Sequence, residues 1–191
     1  VAEKHPDYYW GMGLTAEAVA KEYNVSREQQ DTFALNSHLK AVKAIQSGKF
    51  KNEIVPVIIK ETYLDENEKK KTREFTVDTD EGPRADTSSE LLAKLKPVFD
   101  AKGSVTAGNS SQTSDGAAFV MVVSEEFLKQ HNLKPIARLV SYAAAGVPPR
   151  IMGIGPVAAV PKALALANKK INDIDLFELN EAFASQSVAV V

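Results

Sequence analysis

Residues 103–123 read GSVTAGNSSQTSDGAAFVMVV, and the change of character inside this stretch decides the fold. Its first part, 103–116, is a run of small, hydroxyl-bearing and short polar residues. AAFVMVV (117–123) then forms a continuous apolar run of strand length, the pattern of a strand buried on both faces. Ser124 is placed to cap a short helix over 125–130. PIARLVSYAAAG (135–146) reads as a second strand, and GPVAAVPKALALANKK (155–170) as an Ala-rich amphipathic helix behind a Gly/Pro loop. A strand over 174–179 and a terminal helix follow. Strands alternating with helices predict an α/β layered core for this half of the chain.

Upstream, the pattern is helical with one β excursion. Thr15 is a candidate cap for a helix over 16–23. Ser26 with Gln29 forms a capping box that opens a longer helix, whose apolar side is Phe33, Ala34, Ala41, Val42, Ala44 and Ile45 and whose stop is Gly48. EIVPVIIKETYL (53–64) reads as a strand with Pro56 at an edge or bulge. The turn at 65–71 leads to a second strand over 73–77, predicting a hairpin. Thr87 and Glu90 match a further capping box before Leu91, Leu92 and Leu95, and Pro97 ends that helix.

Composition narrows the function class. The 191 residues carry 23 Lys and Arg against 25 Asp and Glu, a net charge of -2, which gives no basis for binding nucleic acid or an anionic membrane. No apolar stretch reaches the roughly 20 residues of a membrane span, and VAEKHPDYYW (1–10) has no secretory pattern. With no Cys, disulfides, thiolate metal sites and a cysteine nucleophile are excluded within these residues, and His5, His38 and His131 lack ligand spacing, so no metal is expected. The cytoplasm is the default compartment. The chain opens on Val1 and stops inside an apolar helical pattern, which predicts a segment of a longer protein.

Several stretches carry chemistry. Asn180, in ELNEAFASQ (178–186), follows a strand pattern and precedes a helical one. It suits a helix N-cap first, and otherwise a ligand-facing position at the strand edge, where backbone donors converge. TAGNSS (106–111) offers backbone N–H groups and the Ser111 hydroxyl to an extended polar ligand, or forms a plain turn. MGIGP (152–156) lacks the third glycine of a dinucleotide fingerprint. GPRADTS (82–88) sets Arg84 ahead of a helix, suited either to phosphate or to solvent. WGMGLTAE (10–17) brings Trp10 and Met12 before a helix, where core packing is the alternative to a site.

Together and in this order, MGLTAE (12–17), SREQQD (26–31), KLKPVF (94–99), VTAGNSSQTSDGAA (105–118), GIGPVAA (153–159) and above all NEAFA (180–184) resemble the thiolases, the family of acetyl-CoA acetyltransferase and 3-ketoacyl-CoA thiolase. The resemblance runs in register from end to end. RADTSSE and NEAFASQ look more like the degradative type.

The resemblance implies an α/β fold, a thiolase-like αβαβα layered core with an inserted helix-rich loop domain. Residues 1–104 would be the loop domain with helices and a hairpin, 105–134 the end of the first core half, and 135–191 the start of the second. It implies acyl transfer between acyl-CoA and acetyl-CoA through a cysteine thioester, with coenzyme A as substrate and no permanently bound cofactor. The nucleophilic Cys would lie upstream, the Gly-His-Pro His and a second Cys downstream, so the 191 residues alone are expected to be inactive. Asn180 matches the asparagine that holds a water in the oxyanion hole. Ser111 and Ala107 match positions along the pantetheine arm. Met12, Phe99, Ala182 and Phe183 match apolar contacts, and Arg84 the arginine at the nucleotide end of CoA. Gly11, where biosynthetic members often carry His, and Leu91, in place of a small polar contact, depart from the pattern. The family implies a homodimer or homotetramer of the full-length protein. The alternative reading is a non-catalytic thiolase-like carrier of CoA or lipid.

Overall fold

The computed structural model describes Val1 and residues 3–191. In order, the elements are α1 (Met12–Glu22), α2 (Arg27–Gln46), a hairpin of β1 (Val57–Leu64) and β2 (Lys70–Val77), α3 (Ser89–Ala93), α4 (Glu125–His131), α5 (Gly155–Leu166) and α6 (Ala184–Val190). Short 3-10 turns at Pro6–Tyr9, Pro149–Ile154 and Ile171–Asp173 join them.

Local chemistry sets most boundaries. The Ser26 hydroxyl accepts the Gln29 N–H at 3.1 Å, and the Gln29 side chain accepts the Ser26 N–H at 2.8 Å, so the expected capping box opens α2. Gly48 (φ 70) follows the end of α2 in the left-handed region that only glycine enters freely. Ser124 caps α4 by accepting the Phe127 N–H, and Asn132 closes it in the left-handed conformation. Two expectations move. Helix α1 starts at Met12, and the Thr15 hydroxyl lies inside it, donating back to the Met12 carbonyl at 2.8 Å. Ser88, one residue after Thr87, caps α3.

β1 and β2 pair antiparallel from Val57 opposite Val77 to Leu64 opposite Lys70, so the second strand begins three residues earlier than its apolar pattern suggested. Lys60–Glu74 and Glu61–Arg73 ion pairs, directly opposite one another in the register, tie the two strands together.

The core lies where α1, α6 and the 149–154 turn meet. Val19, Ile151 and Ile154 pack there, with Ala16, Ala20 and Ala184 buried alongside. The small residues let the helices approach closely: the buried Ser185 hydroxyl donates to the Ala16 carbonyl at 3.1 Å, and a β-carbon on Gly153 would press on the Gln186 side chain. α2 lies against α6 on one side and α3 on another.

The downstream strands are corrected. Residues 117–123, 135–146 and 174–179 run without ladder partners among the described residues. Phe119 is 97% exposed and Val120 89%, where burial on both faces was expected. An apolar run becomes a buried strand only when neighbouring strands satisfy its N–H and C=O groups and helices cover its faces. Here neither is supplied.

Candidate functional site

The site is built from two loops clasped together. Glu17, on the inner side of α1, accepts the N–H groups of Ser104 (2.9 Å) and Val105 (2.8 Å), which pins the entry of the 104–111 loop. Gly103 passes so close to Glu17 that a β-carbon there would strike the carboxylate. The loop then closes on itself. The Asn109 side chain accepts the Thr106 N–H at 2.8 Å, the Thr106 hydroxyl accepts the Gly108 N–H at 3.2 Å, and Ser110 donates to the Thr106 carbonyl at 2.7 Å.

The second loop crosses it in antiparallel fashion, with Ser110 opposite Phe183. The Ser111 N–H donates to the Ala182 carbonyl and the Ala184 N–H to the Asn109 carbonyl, each at 2.9 Å. Ser111 is thereby held two residues from Asn180. Phe183 meets Phe99 edge to face at 6.1 Å between ring centres, and the Phe99 ring covers Gly13, where any β-carbon would overlap it. Met12, the residue before Gly13, is 49% exposed.

Asn180 itself is exposed, and no described hydrogen bond occupies its side chain. It does not cap the helix: α6 begins at Ala184 with Phe183 in the cap position. Its neighbour Glu181 is anchored instead, accepting the Ser37 hydroxyl of α2 at 2.6 Å. One residue along α2, the His38 Nδ1 accepts the Arg84 N–H at 3.1 Å. Gly82 abuts the Gln112 side chain, so the 82–86 segment borders the Ser111 end of the site. The Arg84 guanidinium is paired with Asp86 at 3.1 Å. Their hydrogen bond raises the Arg84 pKa and holds the Asp86 carboxyl below its ordinary range, so both stay charged at neutral pH.

Six of the eight predicted site residues thus gather around one loop crossing, as neighbours or direct partners, with Met12 at the start of α1 and Arg84 at its border. Ala107 lies exposed in the turn that Asn109 closes. An open groove of about 960 Å³ along α1, lined by Trp10, Leu14, Glu17, Lys21 and Arg150 among others, reaches the entry of the 104–111 loop at Ser104 but includes none of the eight. Among the described residues, no group of three His, Cys, Asp or Glu side chains is placed to hold a metal. The sequence reading passed over Glu17, Asp31, Ser37 and Asn109. Three of these sit inside quoted motifs, and the available signal was a charged or carboxamide residue on the inward side of its element.

Two family descriptions match this chain in succession: "Thiolase, N-terminal domain" over residues 4–126 and "Thiolase, C-terminal domain" over 133–191. The chain belongs to the thiolase family. Among similar thiolases, the 3-ketoacyl-CoA thiolase of Bacillus subtilis (strain 168) is 53% identical over 191 residues, covering 100% of this chain and 49% of that protein. A probable acetyl-CoA acyltransferase of Staphylococcus aureus (strain COL) is 51% identical over 179 residues, 94% of this chain and 44% of that one. The acetyl-CoA acetyltransferase of Bacillus anthracis superposes with a TM-score of 0.83 at 49% identity, over 94% of this chain and 43% of that structure. Human mitochondrial 3-ketoacyl-CoA thiolase gives 0.81 at 43% identity, with 94% and 43% covered. The chain spans about half the length of the curated thiolases it matches. These likenesses make the fold an α/β thiolase fold, of which this chain carries a part.

Proposed function

We propose that this chain is part of an acyltransferase of the thiolase type, which cleaves a 3-ketoacyl-CoA with CoA to acetyl-CoA and a shortened acyl-CoA, or runs the reverse Claisen condensation. Catalysis proceeds by acyl transfer through a cysteine thioester. The nucleophilic Cys, the Gly-His-Pro His and the second Cys belong to other parts of the protein. On this reading residues 1–104 are the inserted loop domain, 105–134 close the first core half and 135–191 open the second. The enzyme works in the cytoplasm, in fatty-acid breakdown, as a homodimer or homotetramer.

One observation carries the proposal: the main-chain clasp between 109–111 and 182–184, which holds Ser111 beside the loop bearing Asn180. The roles divide along it. Asn180, with a side chain free of local duties, holds the water that donates to the thioester oxygen as negative charge develops there. Ser111 and Ala107 lie along the pantetheine arm, where a hydroxyl and a small residue allow close approach of an amide-bearing chain. Met12, Phe99, Ala182 and Phe183 give the arm and the acyl group an apolar wall. Arg84 meets the nucleotide end of CoA, exchanging Asp86 for a phosphate.

The test is a thiolysis assay with acetoacetyl-CoA and CoA. The full-length protein is expected to turn over, and the 191 residues alone are not. Tight CoA binding by the full-length protein with no turnover would replace the enzyme by a carrier.

A further inference from the structure

Asn109 is buried, 3% exposed, and every polar group it owns is engaged. The Thr106 N–H must face an oxygen, which fixes the orientation of the carboxamide. Its nitrogen therefore donates to Asp31 Oδ1 at 2.9 Å and to the Ser104 carbonyl at 3.2 Å. Its own carbonyl receives the Ala184 N–H, the first residue of α6. Asp31 is buried in turn and balanced from its other side. Arg27 Nε donates to Asp31 Oδ2 at 2.7 Å, while Arg27 Nη2 reaches the Leu92 and Leu95 carbonyls at 2.6 and 3.0 Å. Those carbonyls lie in and just beyond α3, and the Leu92 carbonyl also accepts the Leu95 N–H at 3.0 Å. One chain of contacts thus runs from α3 through α2 to the crossing of the two loops.

We propose that Asp31 and Asn109 form a positioning pair that sets the 106–111 loop and the 180–184 loop in the register the acyl-CoA site needs. The inference rests on the thiolase-type reading above. Neither residue is among those assigned to substrate, so both act through others: Asn109 through the Ala184 and Thr106 amides, Asp31 through Asn109. A buried apolar pair of similar volume would fill the same space. It would not fix which carbonyl faces which N–H, whereas a carboxylate facing a carboxamide allows one pairing only. A rotation at Asn109 displaces Ser110 against Phe183, and with it the spacing between Ser111 and Asn180.

The experiment is a swap in the full-length protein. Asn109→Asp sets two carboxylates face to face. Asp31→Asn turns an amide donor toward either Arg27 or Asn109. The double variant restores one donor and one acceptor between the pair in exchanged order, with Thr106 and Arg27 still satisfied and only the Ser104 carbonyl left without its donor. Asn109→Asp is expected to lower kcat for thiolysis about tenfold with a smaller change in KM for CoA, and the double variant to recover most of that loss. Hydrogen exchange at the Ala184 and Ser111 amides is expected to quicken in Asn109→Asp and to slow again in the double variant. Additive losses in the double variant, or wild-type exchange at both amides in Asn109→Asp, would overturn the proposal. If a single variant does not fold, a folded and active double variant supports the pair, and an unfolded one overturns it. A full-length protein without thiolase activity refutes the functional reading, while the exchange measurements still decide the pair.

Discussion

Asn180 shows how a residue's freedom argues for its role. Asparagine at a strand-to-helix junction ordinarily serves as a cap, with its side-chain oxygen on a backbone N–H one turn ahead. In this chain the helix starts four residues later, and the anchoring of the loop falls to Glu181 and to main-chain bonds on either side of Phe183. The Asn180 side chain is left exposed on a held backbone, the condition a preorganised donor requires. Asn180→Ala in the full-length protein is therefore expected to lower kcat for thiolysis about a hundredfold, the usual scale for one oxyanion-hole donor, with a lesser effect on KM. A change in KM alone would assign Asn180 to substrate binding. Sequence singled out Asn180, Ser111 and Phe183 as candidates because their motifs are contiguous. It did not show Glu17, Asp31 or Asn109 in their roles. Glu17 meets Ser104 across 87 positions and Asp31 meets Asn109 across 78, and no local periodicity encodes such a meeting.

Among the elements, those governed by short-range chemistry were readable. The α2 capping box, the Ser124 cap and the Gly48 stop each depend on residues within a turn or so of one another. The start of α1 was misplaced because Met12 and Gly13 carry no start signal of their own. Gly13 is held by tertiary contact, the Phe99 ring lying over it. The hairpin was readable for a similar local reason, and its turn makes a pH prediction. Asp65 Oδ1 accepts the N–H groups of Asn67 and Lys69, each at 2.9 Å, and Lys71 pairs with its other oxygen at 3.0 Å. The Lys69 backbone hydrogen bond, then Lys71, hold the Asp65 pKa below its ordinary 3.8. A depressed carboxyl contributes to the folded turn fully above 3.8 and loses that contribution as the pH falls through the lowered value. The Asn67 and Lys69 amide resonances are expected to stay constant from neutral pH down to about 5 and to move only below 3.8. A midpoint above 3.8 would contradict the turn's hydrogen bonding.

At the scale of the molecule, sequence reported the kind of segment and not its surroundings. AAFVMVV has the composition of a central strand, yet composition cannot say where the neighbouring strands come from. Phe119, Val120, Met121 and Val122, with Ile136, Leu139, Val140 and Leu176 from the other two unpaired segments, all face solvent in this chain. Soluble monomers rarely expose apolar surface in such contiguous stretches. Unpaired N–H and C=O groups beside it offer edges for further strand addition. The similar thiolases are about twice as long, and on the proposed reading the additional chain supplies both the missing ladders and the covering helices. The 191 residues expressed alone are accordingly expected to bind an apolar dye strongly and to sediment as concentration-dependent oligomers. The full-length protein should bind little dye and sediment as one closed species. Substituting Phe119, Met121 and Ile136 by Ser should reduce both dye binding and oligomers in the short chain. In the full-length protein the same changes should cost stability, because there the side chains would be buried against partners. A monomeric, dye-silent short chain would show that these segments find cover within the 191 residues, and the half-core reading of 105–191 would fall with it.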